Sequence, residues 1–88
     1  MTVEIHEHRI KRLLMRSWRR GMKEMDLILG GFADKHLAGL NAADLDAYEQ
    51  LLDENDQDLY KWVSGALEMP EAHRPLLKII ADFHGIRR

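Results

Sequence analysis

The stretch IKRLLMRSWRRGMKEMDLILGGF, running from Ile10 to Phe32, decides the fold. Its apolar residues fall at helical spacing. Ile10, Leu13, Leu14 and Trp18 follow i, i+3, i+4, i+8, and Met25, Ile28, Leu29 and Phe32 follow i, i+3, i+4, i+7. Between the two sets stands Gly21. A glycine inside a helix costs about 1 kcal/mol relative to alanine, which predicts a break or kink there. The pattern repeats outward in Leu45, Tyr48, Leu51 and Leu52, then in Leu59, Trp62, Val63, Ala66 and Leu67, then in Leu76, Leu77, Ile80 and Phe83. No segment alternates with period two, and no Asn-Gly or Asp-Gly hairpin signal occurs. The sequence therefore predicts an all-α fold: one domain over residues 1–88, a compact bundle of about five short helices, with residues 1–7 and 86–88 frayed.

Punctuation refines the pattern. Gly30-Gly31 is expected to weaken the second helix near its end. Asn41 suits the N-cap of a third helix with Asp44 at N3, and Asn55 or Asp56 the cap of a fourth. Gly65 should weaken the end of that helix. Pro70 fits the first turn of a fifth, although Pro75 could force it to begin at about residue 74 instead. Gly85 can end it. Such short connections imply neighbours packed antiparallel or at steep angles.

The chain has 88 residues, no cysteine and a formal charge of −2. The absence of cysteine excludes a disulfide scaffold, thiolate zinc, iron–sulfur ligation and a cysteine nucleophile. No apolar run approaches the roughly 18 residues that span a bilayer, and the polar N-terminus lacks the apolar stretch of a secretory signal, so a cytosolic or equivalent matrix location is expected. The charge is unevenly spread. Residues 1–24 carry a balance of +4, residues 25–62 of −7 and residues 63–88 of +1. Blocks of each sign suggest either two solvated faces or a basic patch that meets a negatively charged partner.

No catalytic constellation emerges. His6 and His8 stand too far apart around a helix to chelate one metal, and His36, His73 and His84 stand alone in sequence. There is no glycine-rich phosphate loop after a strand and no G-x-S-x-G elbow. Two segments remain. Arg16 to Asp26 sets four cationic side chains around Trp18 and Gly21, with Glu24 placed to pair with Arg20 if the helix is continuous. The plain alternative is an amphipathic helix with Trp18 in the core and the arginines in water. Leu51 to Trp62 joins apolar core positions to a run of acids that suits a helix N-terminus.

Together these segments resemble the small succinate dehydrogenase assembly factors, called SdhE in bacteria and assembly factor 2 in mitochondria. The family signature, R-G-x-x-E within R-R-G-x-x-E-x-D, reads here Arg19-Arg20-Gly21-Met22-Lys23-Glu24-Met25-Asp26. A second landmark, a leucine pair followed by an acidic turn and D-L-aromatic-x-W, reads Leu51, Leu52, Asp56, Asp58, Leu59, Tyr60 and Trp62. The resemblance covers about residues 8–84. It implies a five-helix, non-enzymatic assembly chaperone that promotes covalent attachment of FAD to the flavoprotein subunit of succinate dehydrogenase, and in some bacteria of fumarate reductase. It also implies that Arg19, Arg20, Gly21, Glu24 and Asp26 form the partner-binding and flavinylation motif. Arg20, with Arg19, is expected to engage acidic or carbonyl groups of the flavoprotein, and Glu24 to stand near the nascent linkage. No catalytic or metal-binding residue is expected. FAD is expected to be contacted only within the complex, and the chain to be a monomer that binds no nucleic acid and does not insert into a membrane. The bacterial cytoplasm or the mitochondrial matrix would be its compartment.

Two other classes compete. A small helical nucleic-acid-binding protein could use the basic N-terminal segment and Trp18, but the acidic middle and a pI near 6.2 oppose it. A small enzyme lacks its constellation. Because the +4 block coincides with the R-G-x-x-E segment, it is the face expected to meet the flavoprotein.

Overall fold

The structure, a computed structural model, describes residues 4–87. It contains α1 (His6–Trp18), α2 (Lys23–His36) continuing into a single 3-10 turn (Leu37–Gly39), α3 (Ala42–Leu52), α4 (Asp56–Ser64) and α5 (Arg74–Phe83). No strand occurs among the described residues, so the all-α, five-helix expectation holds. The predicted apolar stripes supply the core, including Leu13, Leu29, Phe32, Tyr48, Leu59, Leu77 and Ile80. α2 is the centre of the bundle, in contact with α1, α4 and α5.

The caps follow local chemistry. The Asn41 side chain accepts the Asp44 N–H at 2.8 Å, and the Asn55 side chain accepts the Gln57 N–H at 2.8 Å. Gly65, left-handed at φ 91°, stops α4 at Ser64. Of the two prolines, Pro75 opens α5 inside its first turn. Pro70 instead forms a turn whose carbonyl accepts the His73 N–H at 3.0 Å. After α5, the Gly85 N–H returns to Asp82 at 3.0 Å and the Ile86 N–H to Ala81 at 2.9 Å, a pair of bonds that closes the helix end. Residues 1–3 and 88 lie outside the described residues. Of the positions expected to fray, His6 and Glu7 already belong to α1, and Ile86 packs against the core.

Gly30-Gly31 does not weaken α2, which runs on to His36. The reason is tertiary. The Trp18 indole lies flat against Gly30, and a Cβ there would sit 2.3 Å from the ring. Trp18 is therefore not a core residue. It remains 37% exposed, roofs α2 and donates its Nε1–H to Asp34 Oδ1 at 3.1 Å. The end of α1 thus reaches the middle of α2 through Trp18.

A buried polar knot fixes the same crossing. Ser17 Oγ donates to the Leu13 carbonyl at 2.8 Å and lies 2.6 Å from Tyr48 Oη, which also reaches the Leu29 carbonyl at 3.3 Å. These bonds join α1, α2 and α3, and burial pushes the Tyr48 phenol up to about 12.

Gly30→Ala should destabilise the protein by about 1–3 kcal/mol in chemical denaturation, although alanine is the better helix former. In combination with Trp18→Ala the penalty should shrink, because the clashing ring is gone.

Candidate functional site

The positive N-terminal block is not a free face. Arg9 Nη2 meets Asp46 at 2.6 Å and Glu49 at 3.1 Å, Arg12 Nη1 meets Glu49 at 2.8 Å, and Arg16 Nη2 meets Asp53 at 2.8 Å. Arg12 also grips Glu4 with two bonds of 2.9 Å. Each arginine of α1 pairs with an acid 37 residues later, so α1 and α3 run parallel with their charged stripes in register. Three of the seven basic residues in the first block and three of the nine acids in the second therefore neutralise each other across one helix pair. The Arg12 guanidinium holds the Glu49 carboxyl below the usual carboxylate range, and Arg9 adds to the effect.

Arg20 ends this ladder and differs from it in kind. Its side chain is 8% exposed and that of Asp56 15%. Nε donates to Asp56 Oδ1 at 2.6 Å, Nη1 to the Leu52 carbonyl at 2.7 Å and Nη2 to the Glu54 carbonyl at 2.9 Å. One planar guanidinium thereby holds the end of α3, the connection and the start of α4. On its backbone side, the Arg20 N–H donates to Asp26 Oδ1 at 2.8 Å, which ties the turn to the first part of α2. Glu54 is held a second time, because its Oε2 lies 3.0 Å from His73 Nε2. The i, i+4 pair of Arg20 with Glu24 does not form, because the helix breaks between them.

Gly21 makes that break. Its φ is 94°, a left-handed conformation that a side chain disfavours by about 1–2 kcal/mol. A Cβ there would touch nothing within 4 Å, so the space before it is open. Arg19 and Glu24 are exposed on either side, and neither side chain forms an ion pair or hydrogen bond among the described residues. The five motif residues thus divide. Arg20 and Asp26 face inward and shape the turn, whereas Arg19, Gly21 and Glu24 form its outer edge. The expectation that Arg20 reaches a partner meets a guanidinium already bonded within its own chain.

Sequence reasoning missed the counter-charge Asp56 as a member of this site. The available signal was the matched spacing of Arg9, Arg12, Arg16 and Arg20 with Asp46, Glu49, Asp53 and Asp56. Among the described residues no group of three or more His, Cys, Asp or Glu could hold a metal ion, and no helix is long and apolar enough to cross a membrane.

The family model described as "Flavinator of succinate dehydrogenase" matches residues 11–84, which include the turn and its counter-charge. The chain belongs to this family. Relatives named succinate dehydrogenase assembly factor 2, mitochondrial, are similar to it. The one from Meyerozyma guilliermondii is 48% identical over 63 residues, covering 72% of this chain and 47% of its own length. The one from Candida glabrata is 42% identical over 77 residues, covering 82% and 50%, and that from Saccharomyces cerevisiae S288c is 39% identical over 77 residues, covering 82% and 48%. The chain spans about half the length of these curated relatives.

Two outcomes test the electrostatic assignments. Because the folded Glu49 carboxyl titrates below its unfolded value of about 4.3, its contribution is complete above that pH and is lost as pH falls through the folded value. Glu49→Gln should therefore cost about 1 kcal/mol near neutrality and almost nothing in strong acid, read by denaturant unfolding at a series of pH values. Arg20→Lys should cost about 3 kcal/mol, since an ammonium cannot span three divergent oxygens, and should speed amide exchange in residues 52–56.

Proposed function

We propose that the chain binds the flavoprotein subunit of succinate dehydrogenase, or of fumarate reductase where that enzyme is present, and promotes covalent attachment of its FAD. The observation that carries this reading is the outer edge Arg19–Gly21–Glu24. It bears two charges of opposite sign, unpaired among the described residues, around an open backbone that Arg20 and Asp26 hold from the side away from solvent. Family membership supplies the process, and the edge supplies a means of taking part in it.

The bond between flavin and histidine forms on the partner. The chain contributes geometry: Gly21 admits the partner's backbone, Arg19 engages carboxylates or carbonyls beside it, and Glu24 orients the loop or the acceptor histidine. Holding two reacting groups in an attack geometry is worth several kcal/mol of barrier without any chemical step by the factor itself. In this reading the chain acts as a chaperone and FAD stays with the partner. It works in whichever compartment holds that partner, the bacterial cytoplasm or the mitochondrial matrix.

The alternative of nucleic-acid binding has no observation in its favour. The three arginines of α1, which would have tracked a phosphate backbone, are paired with Asp46, Glu49 and Asp53.

Co-expression with an unmodified flavoprotein subunit, in cells lacking their own factor, tests the proposal through covalent flavin fluorescence of the denatured subunit. Gly21→Arg adds its side chain to open space in front of the turn and should lower flavinylation by about tenfold or more, and Glu24→Ala should also lower it. Normal flavinylation by both variants, each folded, would overturn the assignment.

A further inference from the structure

Beside the motif runs a feature that the motif does not contain. α2 and α4 lie parallel, with Gly21 and Met22 lining one recess together with Asn55, Asp56 and Gln57, and Leu27 and Ile28 lining another together with Val63 and Ser64. At the first end the seam is polar and its charges are matched internally, Arg20 by Asp56 and Glu54 by His73. Further along it opens into an apolar groove of about 350 Å³ walled by Leu27, Ile28, Tyr60, Val63 and Ile86. Leu27 is 54% exposed and Tyr60 38%, while Val63 beneath them belongs to the core. Glu24 lines the end of the groove nearest Gly21. It is the sole charged residue of the lining, and its carboxylate is unpaired among the described residues.

The geometry points to this groove as the anchor site for a segment of the flavoprotein subunit that carries a bulky apolar side chain and, on the side toward Gly21, a cationic or N–H donor group. The proposal rests on the reading above that the chain binds that subunit. Three observations select this occupant. The groove shares Glu24 with the Arg19–Gly21–Glu24 edge, so a segment crossing the edge enters it directly. Its only charge is negative and unanswered, which sets the sign of the incoming group. The edge is also too small and too polar to hold a protein by itself. A specific interface buries about 800 Å² on each partner and draws most of its energy from a desolvated apolar or aromatic anchor within a polar rim. Leu27 and Tyr60 are exposed apolar surface that shares the groove with Glu24, and Tyr60 brings a hydroxyl to a mostly apolar wall. A second groove, between α2 and α5 at Phe32, His36, Ile79 and Phe83, includes none of the motif residues and serves as the control.

Affinity of the full chain for the purified flavoprotein subunit tests the assignment, with circular dichroism confirming the fold of each variant. The double variant Leu27→Ser, Tyr60→Ser should bind about tenfold or more weakly, and Glu24→Lys more weakly than Glu24→Gln. Ile79→Ser, equally exposed but in the control groove, should bind as wild type. A photo-crosslinking residue at position 27 should capture the flavoprotein, and one at position 79 should not. If the double variant binds normally while Gly21→Arg does not, the groove assignment falls and the proposed function stands. If the wild-type chain does not bind the flavoprotein, both fall. If the crosslink at position 27 joins two copies of this chain, the groove is a self-association surface and the assignment is overturned.

Discussion

A guanidinium that cannot lose its proton has been placed where water hardly reaches. Burying such a charge is costly unless oxygen atoms surround it in the right plane, and removing a partner from a buried pair costs about 3–5 kcal/mol. Arg20 meets that demand with one carboxylate and two carbonyls, all contributed by residues 52–56. The requirement works in both directions. The connection between α3 and α4 has no freedom to move without stranding the charge, and the turn after α1 has no freedom to move without withdrawing it. The position of α4 beside α2, and with it the seam that opens next to Gly21, is referenced to this one side chain.

The weaker contacts extend that reference along the molecule. Each exposed ion pair between α1 and α3 is worth at most about 1 kcal/mol, too little to hold two helices by itself. Repeated at a constant interval of 37 residues, the pairs set register rather than strength. A slip by one helical turn would place every arginine one partner out of step. Strength comes from the core and from the closeness of Trp18 to Gly30, where the missing Cβ lets the indole of α1 lie directly on the backbone of α2. The Ser17–Tyr48 bonds lie at the same crossing and tie α3 into it.

Much of this was legible in the sequence, and the illegible parts share a cause. Helices at Leu13, Leu29, Tyr48, Leu59 and Ile80 announce themselves because burial of one helix face repeats locally. Asn41 and Asn55 do so because a cap is a contact over two or three residues. Gly21 was readable as a break because its cost to a helix is intrinsic. Gly30 carries the same intrinsic cost and was misread as weakness, because the indole that requires it lies 12 residues away. Charge failed for a related reason. Counting by segment found a positive block and a negative block and treated each as surface, whereas the structure folds one onto the other. The resemblance to a family located the turn, but it gave its residues one shared role. Only geometry separates Arg20 and Asp26, which hold the turn, from Arg19, Gly21 and Glu24, which present it.

That separation changes what kind of contact the molecule can make. A basic stripe of four arginines would draw an acidic partner strongly and lose it with added salt. With those arginines paired internally, the turn offers Arg19, Lys23 and Glu24, all exposed and unpaired among the described residues, and an open backbone, next to an apolar groove. Charges of opposite sign at an interface steer orientation more than they add affinity, and the area available is modest. Binding of that kind is specific in pose and readily reversed. For the proposed role both properties matter: the acceptor histidine must be presented to the flavin in one orientation, and the factor must then leave a partner that goes on to join its own enzyme.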